Sequence, residues 1–365
     1  MLKRVSIQNF KSLKDVTLDL QKVNLLIGPN NSGKTNFLKA FSTIEKVVIE
    51  KEDIDYDDHY KKDFSEAVNI HLTYIGEHGE YDHVILDWVD DENIGEFYSV
   101  FLGTSKSIDT KKEDMHYEHQ LNMVSLYRIC GNIILYKPDP NKLDRPAPVG
   151  RGAQIINADA SNLIAFFDYI RDEKPQVFAQ IRADLNKCVS EFTEINFQSV
   201  EPTEELIKIY GPATYKRIGL TDGKKGVIYW ADELSEGTLY FIALLCIINQ
   251  PNPPKILLLE EPEKGIHPRR IEEIINFIFA LAEDKDIQVI MTTHSPVVVD
   301  MFKDLPESVF IFDKDDEGAT HIKNLYTDII QPETEESKRL GIDPPQYLNG
   351  LGEAWKVGFL GGVPR

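Results

Sequence analysis

Four short stretches of this chain combine residue types at spacings that could do chemistry. GPNNSGKT, Gly28 to Thr35, fits Gly, any four residues, Gly, Lys and Ser or Thr without a mismatch. Its glycines let the backbone curl until successive N–H groups face one anion, and a helix beginning at its end adds a positive terminus. Such a loop cradles a nucleotide's phosphates. Gly28, Pro29, Asn30, Asn31, Ser32 and Gly33 form the cradle, Lys34 reaches the β- and γ-phosphates, and Thr35 offers its hydroxyl to Mg²⁺.

KILLLEEPEKGIHP ends an apolar run on two adjacent acids. Phosphoryl transfer to water needs one carboxylate on the metal's water shell and another group on the attacking water. Glu260 is assigned to Mg²⁺ and Glu261 to the water. Thirty residues on, IQVIMTTHSP repeats the design, with His294 at a strand–helix junction, Ser295 as N-cap and Pro296 in the first turn. There His294 can donate to a γ-phosphate. His267 lacks that support and reads as structural or as a subunit contact. The fourth stretch, ELSEGTLYFIALL, is a small polar turn running into an apolar helix. It is a second phosphate-type turn, and Ser235 is also well placed to cap the helix behind it.

These residues need a sheet to hold them. RVSIQNFKSL, VTLDL and VNLLI read as strands, with a helix from about Thr35. NIHLTYI and YDHVILDWV, joined through GEHGE, predict a hairpin. FYSVFL, YEHQLNMVSLYRI and NIILYKP predict further antiparallel strands. Residues 159–192 read as helical, and INFQSV, LIKIY and GVIYW as short strands. The last third alternates buried strand and helix, the pattern of a parallel sheet covered by helices. The class expected is α/β with an antiparallel and helical insertion. FIFDKDDEG, with its few acids, reads as a strand running into a hairpin turn.

The 365 residues carry a net charge of -20, which argues against a protein coated with nucleic acid. Lys3, Arg4, Lys11 and Lys14 could still form a local basic groove or simply a solvated face. Much of the acid lies in IEKEDIDYDDHYKKD (49–63), read as an exposed loop. No apolar run is long enough to span a membrane, and the N-terminus has no signal-peptide core. Cys130, Cys188 and Cys246 lack metal or redox spacing, so reduced thiols in a cytoplasmic setting are expected.

Taken in order, GPNNSGKT, LSEGT, ILLLEEPE and TTHSP resemble an ABC-type ATPase head. IQNFKSLKDVTLDL, GPNNSGKTN and LSEGTL narrow the resemblance to the RecF, SMC and OLD branch. The likeness spans nearly the whole chain, strongly at 1–40 and 233–300 and weakly between. It implies a P-loop NTPase head with a mixed sheet, an antiparallel β subdomain and a helical insertion. The division implied is a nucleotide-binding core at 1–45 and 252–330, an antiparallel insertion at 46–150, a helical lobe at 151–251 ending in the signature, and a tail at 331–365. ATP and Mg²⁺ are the cofactors implied. The resemblance also assigns the second turn: Ser235 and the amide of Gly237 would touch the γ-phosphate held by a partner's Gly28–Thr35 loop, so that ATP joins two copies.

Two features depart from the family. Its Asp-Glu pair is Glu260-Glu261 here, which leaves open which acid is the base, and its glutamine loop has only Gln120 and Gln154 as candidates. No heptad stretch separates loop from signature, so long coiled-coil arms are not expected. The first functional expectation is an OLD-like ATPase that regulates a separate effector, such as a TOPRIM-type nuclease in phage defence, with no nuclease domain of its own. A RecF-like DNA clamp is the alternative, and a transporter's ATPase subunit a third. In the tail, Trp355, Phe359 and Leu360 read equally as a docking segment or as a last packed segment.

Overall fold

The structure is a computed structural model that describes residues 1–45, 58–60, 67–75, 81–91, 95–104, 133–150, 152–264 and 266–362. The strand expected at 117–129, Gln120, Cys130 and most of the acidic stretch 49–63 lie outside the described residues. Two compact units divide the chain. The first comprises Met1–Leu135, Lys255–Pro262 and Phe279–Arg365, and the second Tyr136–Pro254 and Glu263–Ile278.

In the first unit, β1 (Leu2–Phe10), β2 (Leu13–Asp19) and β3 (Val23–Ile27) lead to the helix Lys34–Glu45. β4 (Val68–Ile75), β5 (Tyr81–Asp91) and β6 (Gly95–Thr104) follow as the predicted meander. β4 pairs with β1, so these strands extend the N-terminal hairpin into one antiparallel sheet of order β2-β1-β4-β5-β6.

β3 joins a second sheet. After β7 (Leu135–Tyr136) the second unit supplies β8 (Ala147–Val149), β9 (Phe192–Val200), β10 (Thr214–Asp222) and β11 (Ile228–Trp230). Then come β12 (Ile256–Glu260), β13 (Gln288–Thr292), β14 (Val309–Lys314) and β15 (Thr320–Asn324). The second sheet has the order β15-β14-β3-β13-β12-β7. β14, β3, β13 and β12 run parallel and β15 is antiparallel to β14, closing the predicted hairpin. Every residue of β3 and β13 is buried, which is why both read as unbroken apolar runs.

Two polar side chains inside this layer are fully engaged. Asn24 accepts from the Gln21 N–H and donates to the Gln21 and Val289 carbonyls, while Gln288 accepts from the Leu2 N–H and donates to the Leu2 and Gln21 carbonyls. Burial without such bonds would cost about 1–3 kcal/mol per group. The core combines both sheets with Phe37, Leu38, Ala40, Phe41 and Ile44 of the helix Lys34–Glu45. That helix starts where the phosphate-type loop ends, so the core fixes the loop's direction.

Among the described residues of NIILYKP, only Leu135–Tyr136 form a strand, and these pair beside β12 in the second sheet instead of joining the antiparallel meander. The C-terminal segment packs within the first unit. The Gly352 N–H donates to Asp300 at 2.7 Å, and the Trp355 indole donates to the Gly362 carbonyl at 3.2 Å. Trp355 and Leu360 are buried whereas Phe359 is 71% exposed.

In the second unit, the predicted helical stretch is two helices, Leu163–Glu173 and Pro175–Cys188. Lys174 breaks them at φ -137°, because the ring of Pro175 disfavours helical geometry in the residue before it. β9 and β11 flank β10 in an antiparallel sheet with β8. LIKIY, expected as a strand, lies in the helix Glu204–Tyr210. Thr203 caps it by accepting from the Leu206 N–H, Glu204 and Glu205 occupy its first turn, and Gly211 ends it at φ 79°. These end signals outweigh five alternating residues. The helix Glu236–Asn249 is buried continuously from Gly237 to Ile248. A helix apolar all round belongs inside a lobe. Residues 263–278 group with this unit, and Phe277 sets its ring 5.2 Å from that of Phe241.

Candidate functional site

Strand register assembles the site. Glu260 of β12 is paired with Thr292 of β13, and Thr292 with Leu26 of β3. One row across three parallel strands therefore carries the first acid, the residues preceding His294 and the start of the Gly28 loop. All three chain exits lie at the carboxyl edge of the sheet, where open α/β sheets bind ligands.

The loop curls as its glycines predict. Gly28 has φ 146° and Gly33 φ 107°, and Asn31 between them is left-handed at φ 65°. A Cβ on Gly28 would overlap the Phe312 carbonyl oxygen, and one on Gly33 would overlap the Thr320 hydroxyl. Lys34 is 5% exposed and donates to the Gly28 and Pro29 carbonyls, each at 2.8 Å. Burial lowers its pKa to about 8, against the opposing pull of the Glu261 and Glu260 carboxylates. Lys314 donates to the Asn31 side chain at 3.2 Å, and Pro29 accepts from the Ser32 N–H through its carbonyl.

The Thr35 hydroxyl donates to Glu260 Oε1 at 2.8 Å. This is the donor set a hard divalent cation takes alongside phosphate and water. Glu261 departs from the strand at φ 48°, a left-handed conformation that costs a non-glycine residue about 1–3 kcal/mol. Its N–H donates to the Thr292 hydroxyl at 3.1 Å, which stabilises the kink. The kink turns Glu261 toward His294, whose Nε2 lies 3.6 Å from Glu261 Oε1. Thus Lys34, Thr35, Glu260, Glu261 and His294, predicted from separate motifs, share one edge. Ser295 occupies the N-cap position but makes no capping bond with its side chain; its N–H donates to the Thr293 hydroxyl at 2.9 Å.

Ser235 and Gly237 belong to the second unit. Ser235 is exposed, and its hydroxyl accepts from the Thr238 N–H at 3.1 Å. Gly237 is buried, its α-carbon facing Ile266 and Ile274. The cap is therefore real, and it leaves the serine's own surface available. Gln154 is exposed in the second unit, and His267 is exposed with its carbonyl accepting from the Arg270 N–H. The basic N-terminal cluster is offset by neighbouring acids, because Arg4 pairs with Asp19 and Lys11 with Asp58.

Sequence reasoning missed the residues behind the loop. Ser12 and Thr320 are buried, and their hydroxyls lie 2.8 Å apart. Thr320 donates to the Ser32 carbonyl at 2.9 Å, and Asn36 donates to Ser12 at 2.9 Å. Ser12 lay inside a quoted strand motif, but no local pattern marks Thr320.

Comparison with known proteins agrees with this architecture. A family model described as an AAA domain matches residues 4–138, and one described as "AAA domain, putative AbiEii toxin, Type IV TA system" matches residues 139–300. The OLD nuclease of Thermus scotoductus is 24% identical over 333 residues, covering 82% of this chain and 60% of that protein. The chain thus spans 60% of the length of that relative. An ATP/GTP phosphatase of Helicobacter pylori is 22% identical over 341 residues, covering 82% of this chain and 87% of that one. The Smc head domain of Pyrococcus furiosus, solved with an extended coiled coil and the C-terminal domain of ScpA, aligns with TM-score 0.54 at 12% identity. That alignment covers 93% of this chain and 98% of the other. Between them the AAA-domain matches run from residue 4 to residue 300, over the parallel sheet that carries the Gly28–Thr35 loop, and the fold is similar to that of an Smc head domain.

Proposed function

We propose that this chain binds ATP with Mg²⁺ on the Gly28–Thr35 loop, hydrolyses it, and uses the cycle to join and release two copies of itself. The observation that carries the reading is the hydrogen bond between Thr35 and Glu260, set in the row Leu26, Thr292 and Glu260. The loop's N–H groups and Lys34 hold the phosphates, while Thr35 and Glu260 would hold the cation, which neutralises phosphate charge when bound. Glu261 orients the attacking water and accepts its proton. His294, held beside Glu261, donates to the γ-phosphate.

In this reading the loop and the sheet edge supply one wall of the site. Ser235, exposed at the N-terminus of the helix Glu236–Asn249, supplies the opposite wall for a second copy's nucleotide, with the Gly237 N–H beside it. The closed pair regulates a separate effector. The likeness to an OLD nuclease favours a nuclease as that effector, and phage defence as the setting. The alternative of a DNA clamp is less supported, since Arg4 and Lys11 are already paired with acids.

The test is the solution mass of the Glu261→Gln protein with and without ATP and Mg²⁺, beside the same protein carrying Ser235→Arg. The reading expects a doubling with ATP that Ser235→Arg removes. A mass indifferent to ATP and to Ser235 would sink it, leaving the second turn as a helix cap alone.

A further inference from the structure

The hydroxyl pair behind the phosphate loop has a defined direction. A threonine or serine hydroxyl has one proton to donate. Thr320 donates its proton to the Ser32 carbonyl, so toward Ser12 it can only accept. Ser12 therefore donates to Thr320, and Ser12 in turn accepts from the Asn36 side-chain amide. The result is a one-way relay, Asn36 to Ser12 to Thr320 to the carbonyl of Ser32. Ser12 and Thr320 are buried, where such relays strengthen one another. A backbone bond from the Thr320 N–H to the Ser12 carbonyl at 2.8 Å holds the two in register.

The end of the relay acts on one peptide plane. In a trans peptide the carbonyl and the following N–H point in opposite directions. Fixing the Ser32 carbonyl against Thr320 therefore turns the Gly33 N–H to the opposite side of that peptide plane, away from Thr320. A side chain at position 33 would meet the Thr320 hydroxyl, so only glycine lets the loop and β15 approach this closely. Three elements are tied to this plane: the β1–β2 turn through Ser12, β15 through Thr320, and the helix Lys34–Glu45 through Asn36.

We propose that Thr320, acting with Ser12 and Asn36, is a positioning residue for nucleotide binding: the relay aims the Gly33 N–H at the phosphate chain. The inference rests on the nucleotide-binding reading above. None of the three side chains needs to touch nucleotide. Each acts through the Ser32–Gly33 peptide, which a loop free of the relay would present in more than one orientation. The relay therefore contributes to affinity for any nucleotide that places a phosphate in the loop, ADP as well as ATP, and contributes little to the chemical step.

The experiment measures Kd for ATP and for ADP by calorimetry, with KM and kcat, on full-length wild type, Thr320→Val, Thr320→Ser and Ser12→Ala, well below each protein's Tm. Thr320→Val keeps the branched shape and loses the hydroxyl. It is expected to weaken ATP and ADP alike by roughly tenfold, the worth of one directed hydrogen bond, and to raise KM with kcat within about twofold. Thr320→Ser should restore wild-type affinity. A wild type that binds and a Thr320→Val protein that binds equally well, with only a lowered Tm, would overturn this inference and leave the nucleotide reading standing. A wild type that binds neither nucleotide would overturn both. If Thr320→Val does not fold, Ser12→Ala decides, since it removes the relay's middle proton and leaves Thr320 in place. A loss of roughly threefold is expected there, and unchanged affinity overturns the proposal.

Discussion

The hydroxyl of Thr35 donates to Glu260 Oε1 across 225 residues of sequence, at 2.8 Å. A carboxylate only accepts, so the proton must come from the threonine, and the two oxygens lie close enough to serve one cation. Thr35→Val and Glu260→Gln should therefore each lower ATP hydrolysis by about 10²–10³-fold, the usual range for losing one transition-state electrostatic partner. Chelation of Mg²⁺ should abolish the wild-type rate, and Thr35→Ser should retain most of it. Phosphate release under matched nucleotide occupancy checks all four.

Lys34 carries the pH prediction. Its pKa is about 8 in the folded chain against an ordinary 10.5, because burial disfavours the ammonium. Between about pH 8 and 10.5 the unfolded chain holds a proton that the folded chain has released. This group therefore makes stability rise with pH across that window. Phosphate favours the ammonium and raises the pKa again, so nucleotide binding should take up a proton near pH 8.5 and none near pH 6.5. Calorimetry in two buffers of different ionisation heat reads this directly. Equal apparent enthalpies at pH 8.5 would mean that Lys34 stays protonated throughout.

Glu261 is held at φ 48°, where asparagine is far more at ease than glutamate. Glu261→Asn should therefore leave the nucleotide-free protein as stable as wild type, or more stable by up to about 1 kcal/mol, while hydrolysis is lost. Thermal unfolding without nucleotide tests the first half and turnover the second. A marked drop in Tm would show that the carboxylate holds the fold together.

Ser235 can be divided into its two roles. Ser235→Ala removes the acceptor for the Thr238 N–H and should cost about 1 kcal/mol of stability. Ser235→Asp keeps an acceptor and adds a negative charge where a helix N-terminus favours it. Stability should hold, yet the carboxylate would meet a partner's γ-phosphate, so ATP-dependent association in a Glu261→Gln background should fail. Association that survives Ser235→Asp would remove Ser235 from the shared site.

Much of the site could be read from the sequence because it rests on local rules. A glycine-rich loop between β3 and a helix, and acids or histidine at the ends of apolar strands, are each legible within ten residues. Their meeting at one edge follows from parallel register, which the buried strands imply. Where structure and expectation part, the reason is also specific. LIKIY alternates like a strand, but Thr203 and Gly211 bracket a helix. NIILYKP is apolar enough for a longer strand, yet among its described residues only two pair. Thr320 was invisible because its partner lies 288 residues away. The Phe312 carbonyl, which requires glycine at position 28, belongs to a backbone that no side-chain pattern reports.

The distance from Ser32 to Thr320 has a consequence for how the protein is made. The phosphate loop leaves the ribosome well ahead of the threonine that braces it, which comes 288 residues later. At about 5–20 residues per second, that interval is roughly 15–60 s. β12, β13 and β14, which flank or extend the sheet around β3, emerge in the same late window. During synthesis the nascent chain thus carries a complete nucleotide-binding motif without the sheet or the brace that shapes it. Only a chain translated through β15 can therefore hold the loop in its braced form.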